Sequence, residues 1–84
     1  MVDKACDEET ERELRDFVLS QPGVLSVDVL RTRVFGNKIY VDLEIGVNQD
    51  SSLKEAHQVA EQVHDKLEKQ FPKVKHIMIH VNPA

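Results

Sequence analysis

The chain has 84 residues, 15 acids against 11 bases, a net charge of −4, a mean hydropathy of −0.40 and one cysteine, Cys6. That bounds it to a single small domain. The lone cysteine rules out an internal disulfide framework and a CxxC metal motif, which suits a reducing compartment. No window approaches the roughly 18 apolar residues of a membrane span, and no signal peptide is visible.

Seven acids (Asp3, Asp7, Glu8, Glu9, Glu11, Glu13, Asp16) fall in residues 1–20 against three bases, and the rest of the chain balances at eight and eight. This acidic run reads as a solvated helix face. With no basic stripe, and with only Tyr40 and three Phe as aromatics, the composition argues against a nucleic-acid partner. Met1 followed by a polar stretch that begins in mid-sentence reads as a piece cut from a longer protein.

The first element is a helix over Asp7–Ser20, with Leu14, Phe17 and Val18 as a short apolar stripe. Thr10-x-x-Glu13 resembles a capping box, and Asp7 is the alternative cap one turn earlier. Gln21-Pro22-Gly23 stops the helix. A β-rich run, Val24–Val34, follows. Its parity is mixed, with Val27 and Val29 on one side and Leu30, Thr32 and Val34 on the other. A bulge or burial on both faces would account for it. Gly36 and Asn37 tolerate positive φ and reverse the chain. Lys38–Val47 then alternates cleanly, with Ile39, Val41, Leu43 and Ile45 to one face and Tyr40, Asp42 and Glu44 to the other.

Ser52-x-x-Glu55 is a capping box opening a second helix that runs to about Gln70. Leu53, Ala56, Ala60, Val63 and Leu67 make its stripe, and Val59 widens it. Phe71-Pro72 ends it. Lys75–Val81 alternates again, with Ile77, Ile79 and Val81 inward and His76, Met78 and His80 outward. The order is α-β-β-α-β. The helix between the last two strands makes that pair parallel. The expected fold is α+β, an open ferredoxin-like two-layer sandwich with two helices on one face of a three-stranded mixed sheet. The other face carries Tyr40, Asp42, Glu44, Met78 and His80, and Tyr40 and Met78 there suggest burial against a second copy.

Chemistry-bearing residues are few. His57 and His64 stand seven apart on the second helix, flanking its apolar stripe, and His80 shares a sheet face with Asp42. Imidazole and carboxylate are the usual ligands of zinc and of harder first-row divalent ions. Taken alone, a strand or helix histidine is more often a surface or packing residue, and there is no HxxH or HExxH, so the metal signal from the sequence alone is weak. Arg31, Arg33 and Asn37 could hold an anion, but no glycine-rich loop opens a helix. No serine or cysteine sits in a nucleophile motif. A ferredoxin-like effector-binding module and an acylphosphatase-like enzyme are the competing readings. Both normally begin with a strand, whereas this chain begins with a helix.

Leu30-Arg31-Thr32-Arg33 with Gly36 after it, Val41-Asp42-Leu43-Glu44, Glu55-Ala56-His57-Gln58-Val59-Ala60 and Ile79-His80-Val81-Asn82-Pro83 together resemble the cytoplasmic C-terminal domain of cation diffusion facilitator transporters. The resemblance runs from about Asp7 to Pro83. It implies the same α-β-β-α-β fold, a V-shaped homodimer on the cytoplasmic face of the membrane, a transmembrane partner domain in the same transporter, and no enzyme activity. Residues 1–84 would then be one regulatory domain, not itself inserted in the membrane, of an exporter of zinc, manganese or iron. Cytosolic metal bound between the arms would favour the closed, active state. Carried over by position, the metal ligands are Asp28, Asp42, His57, His80 and Asn82. Asp28 and Asp42 stand where zinc members often have histidine, and Asn82 where aspartate is common, so this site is richer in oxygen. Zinc is the expected ion, with manganese or iron(II) as alternatives. Cys6 could be an extra ligand, but a free cysteine more often behaves as a small hydrophobe.

Overall fold

The computed structural model describes residues 5–84. Met1 and Asp3, on which the reading of a cut start and part of the acidic count rest, lie outside the described residues. The elements are α1 (Glu8–Leu19), β1 (Ser26–Phe35), β2 (Lys38–Val47), α2 (Leu53–Gln70) and β3 (Val74–Pro83). The sheet order is β1-β2-β3, with β1 antiparallel and β3 parallel to the central β2. The α+β sandwich expected from the sequence is therefore the observed fold.

Both helices owe their starts to side chains that satisfy otherwise unpaired N–H groups. Asp7, the earlier of the two candidates, is the cap of α1: its carboxylate accepts from the Thr10 backbone N–H at 2.8 Å. Ser52 and Glu55 form the reciprocal box of α2, with the Glu55 N–H donating to the Ser52 hydroxyl at 3.1 Å and the Ser52 N–H donating to Glu55 at 2.8 Å. These bonds hold two carboxyls below their ordinary values. Asp7 is lowered from 3.8, first by the Thr10 hydroxyl and then by the Thr10 N–H. Glu55 is lowered from 4.5, first by the Ser52 N–H and then by its hydroxyl. A depressed native pKa adds stability above the unfolded value and loses it as pH falls through the native one. The melting temperature should thus be flat above about pH 5 and drop below about pH 4, the unfolded carboxyl range. D7N/E55Q keeps both caps, since asparagine caps well and glutamine serves in the box. Thermal melts of this variant across pH should show a shallower acid limb than wild type.

The mixed parity of β1 is a bulge. Val27 pairs with Ile45 and Val29 with Glu44, so Asp28 is the extra residue. The bulge returns Val27 to the helix side with Leu30, Thr32 and Val34 and leaves Val29 on the open side. The hairpin turn has positive φ at Gly36 (61°) and at no non-glycine residue, so Asn37 keeps a negative φ. That is the two-residue turn with glycine first, whose twist matches the strands. Gly23, at φ 87°, turns the chain from α1 into β1 so close to α2 that a Cβ there would lie 2.6 Å from Val59 Cγ2.

The core lies between the sheet and the helices. Leu14 and Val18 of α1 and Val63 and Leu67 of α2 meet Val41, Leu43 and Ile45 of β2, with α1 over β1 and α2 over β3. Phe17 and Phe71 close one end, edge to face at 5.6 Å. Leu53, expected to open the α2 stripe, is 75% exposed. It is the first helical residue, and the stripe meets the core only from Ala56 onward. The buried hydroxyl of Thr32 is satisfied: it donates to Glu11 Oε2 at 2.7 Å and accepts from the Cys6 N–H at 2.9 Å.

Candidate metal centre

Strand register decides which side chains share the uncovered face. Ser26–Gly46–Asn82, Val29–Glu44–His80, Arg31–Asp42–Met78 and Arg33–Tyr40–His76 form four successive rungs across β1, β2 and β3. At one end, three strands contribute polar groups to one point. Asn82 Nδ2 donates to Asp28 Oδ2 and to Glu44 Oε1, each at 3.1 Å. The Ser26 hydroxyl donates to Asp28 Oδ1 at 2.8 Å. These bonds lower the Asp28 carboxyl below its ordinary 3.8, the Asn82 amide being the larger cause and Ser26 the lesser. His80 occupies the same rung as Glu44.

Two backbone features build this corner. The bulge at Asp28 aims that carboxylate to the open face, out of strict alternation. Gly46 then leaves room beneath it, because a Cβ there would run into the Ser26 hydroxyl.

Of the five residues carried over from the family resemblance, Asp28 and Asn82 are therefore in direct contact, with His80 on the adjoining rung. Asp42 faces the same way one rung further along, where it lines a hollow of about 300 Å³ with Arg31, Tyr40, His76 and Met78. His57 stands in the helical layer, lining a groove with His64 and Ile79. Among the described residues, no hydrogen bond joins Asp42 or His57 to the other three. Glu44 was placed on this face by alternation but was not among the five residues, although Asn82 donates to it. Its signal was its position two residues from Asp42, on the rung of His80.

The donor set suits a divalent cation. Two carboxylates, an imidazole and a carboxamide are oxygen and nitrogen ligands of intermediate hardness. One amide nitrogen presents its two N–H groups to both carboxylates, so the point between them already favours positive charge. Beyond this corner the open face is mixed, with Arg31, Arg33 and Asp42 beside aromatic and thioether groups. Phe35 and Tyr40 stack at 4.8 Å, Tyr40 and His76 at 5.3 Å, and Met78 is 52% exposed.

A family model described as the cytoplasmic domain of cation efflux proteins matches residues 6–84, and the chain belongs to that family. It is 32% identical over 84 residues to the cation-efflux pump FieF of Pectobacterium atrosepticum, covering 100% of this chain and 28% of that protein. Against the manganese efflux system protein MneP of Bacillus subtilis it is 26% identical over 83 residues, covering 99% and 28%. The chain thus spans little more than a quarter of these relatives. A solved MamM CTD structure superposes with a TM-score of 0.88 at 23% identity, covering 92% of this chain and 98% of that one, and so shares the fold. No helix among the described residues is long and apolar enough to cross a membrane.

Proposed function

We propose that this domain is the cytosolic metal sensor of a divalent-metal exporter. Two copies join through the open face, where Phe35, Tyr40 and Met78 are exposed, and an ion held at Asp28, Glu44, His80 and Asn82 biases the pair toward the closed, transport-active arrangement. The observation that carries the reading is the single Asn82 nitrogen held 3.1 Å from carboxylates of two other strands. A cation at that point would neutralise both acids, and rotation of the Asn82 amide would offer it Oδ1 in place of the N–H groups. Asp42 and His57 lie apart from this corner within one protomer, Asp42 one rung along the open face and His57 in the helical layer.

Zinc is the expected ion, because it outcompetes manganese at mixed nitrogen and oxygen sites. The name of MneP, a manganese efflux protein, and the carboxylate content keep manganese and iron(II) as alternatives. A ligand shifts an open–closed balance only by its differential affinity, and a bias of about 1–3 kcal/mol is the usual scale. Transport rate would be read out by the membrane part of the same protein.

Sedimentation should give about twice the 9.6 kDa chain mass. Calorimetry should show zinc binding that weakens as pH falls, since imidazole must be unprotonated to coordinate. D28A and H80A should each lose most of the affinity. Wild-type affinity in both variants would remove the corner from the sensing role. A monomer with and without zinc would remove the dimer.

A further inference from the structure

The exposed side of α2 carries a second cluster that the sheet-face reading does not use. We propose that His64, Asp65 and Glu68 form a surface site for a borderline divalent ion such as Zn2+ or Ni2+, independent of the corner on the sheet. Glu68 lies one helical turn beyond His64, so the two side chains rise from the same face, with Asp65 beside them. His64 Nδ1 is 3.4 Å from Asp65 Oδ1 and 3.6 Å from Glu68 Oε1. Among the described residues this is the one group of three or more His, Cys, Asp or Glu whose ligand atoms all lie within 4.8 Å of one another.

The spacing decides what the group can do. Ligand atoms bonded at about 2.1 Å to a tetrahedral ion sit about 3.4 Å apart. The two measured separations are already close to that value, so capture needs small rotations about the side chains rather than movement of the helix. The carboxylates are also free for it: among the described residues, no Lys or Arg nitrogen pairs with Asp65 or Glu68 within 4.0 Å. His64 is the more sheltered partner, 40% exposed against 71% for Asp65, because it lines the groove that His57, Ala60, Glu61 and Ile79 complete.

One imidazole and two carboxylates match the preferences of zinc, iron(II) and nickel. Three protein ligands leave a coordination position to water, as in open zinc sites. Such an ion exchanges readily and can be completed by a ligand from another molecule. The domain would then take up ions on both layers, one at the three-strand corner and one on the outer helix.

The test is a Zn2+ titration of the 84-residue chain followed by amide and imidazole NMR signals. Saturable shifts are expected at residues 61–68. H64Q/E68Q should weaken that binding at least tenfold, because losing even an outer-shell partner costs about 10–100-fold. D28N/E44Q should leave it unchanged. The last comparison separates this site from the sheet-face reading, since either can fail without the other. Absence of saturable shifts at residues 61–68 up to millimolar Zn2+, a loss under tenfold in H64Q/E68Q, or loss of those shifts in D28N/E44Q would overturn the proposal.

Discussion

Leu43→Ala should lower the unfolding free energy by about 2–5 kcal/mol, the range for truncating a fully buried leucine. Leu43 is 0% exposed at the middle of the central strand. Leu30 of β1 and Ile79 of β3 flank it in register, and buried residues of both helices belong to the same core. No neighbour is free to fill the gap, because the sheet fixes it on both sides. A domain of this size has only about 4–13 kcal/mol of stability at about 0.05–0.15 kcal/mol per residue. The loss is therefore a large share of the total, and a melt should show it as a fall of several degrees per kcal/mol. Leu43→Met, which keeps the volume, should cost under about 1.5 kcal/mol. Urea unfolding measures both, with an unchanged slope expected. A cost below about 1 kcal/mol for the alanine variant would contradict this account of the core. Met78→Ala is the control on the open face: it should leave the monomer within about 0.5 kcal/mol and act on self-association instead.

The same contrast explains what could be read from the chain in advance. Periodicity located the core because burial is what periodicity records: Val41, Leu43, Ile45, Val63 and Leu67 were assigned by spacing and are buried. The capping box at Ser52 and the turn at Gly36 rest on chemistry local to a few residues, and both are found. Where one residue breaks a period, the pattern shows only that something has changed. The run around Val27–Val29 signalled a bulge or two-sided burial, and pairing with β2 was needed to identify Asp28 as the extra residue.

The corner at Asn82 was harder still. Its partners Asp28 and Glu44 are 54 and 38 residues away in sequence, and no spacing rule connects them. Glu44 was visible as a polar open-face residue, and the ligand role proposed for it rests on its bond to Asn82 and the rung it shares with His80. The cluster at His64, Asp65 and Glu68 escaped for another reason: a histidine beside acids on a helix is a common solvated face, and only the interatomic distances set it apart.

The metal response of the corner provides the second large effect. A ligand that binds only the folded state at one hundred times its dissociation constant stabilises by about 2.7 kcal/mol. Glu44→Gln keeps an acceptor for the Asn82 N–H and removes one of the two charges the ion would neutralise. The metal-free protein should therefore melt within about 0.5 kcal/mol of wild type. If the lost charge weakens binding tenfold, about 1.4 kcal/mol of the metal-dependent gain remains at the same ion concentration. In D28N/E44Q both charges are gone, and a hundredfold weakening leaves about 0.4 kcal/mol. Wild type, single and double variants should thus form a descending series in the melting shift produced by zinc. The metal-free melts should instead pair wild type with Glu44→Gln and set only the double variant apart, because Asp28→Asn alters bonds to Ser26 and Asn82 while Glu44→Gln preserves its own. The His64 cluster would add the same increment to all three proteins, so it raises the series without changing the steps. Differential scanning fluorimetry with chelator and with zinc measures them. Equal zinc shifts in the three proteins would show that the ion binds without these carboxylates, and the three-strand corner would then be a hydrogen-bonded structural join rather than a sensor.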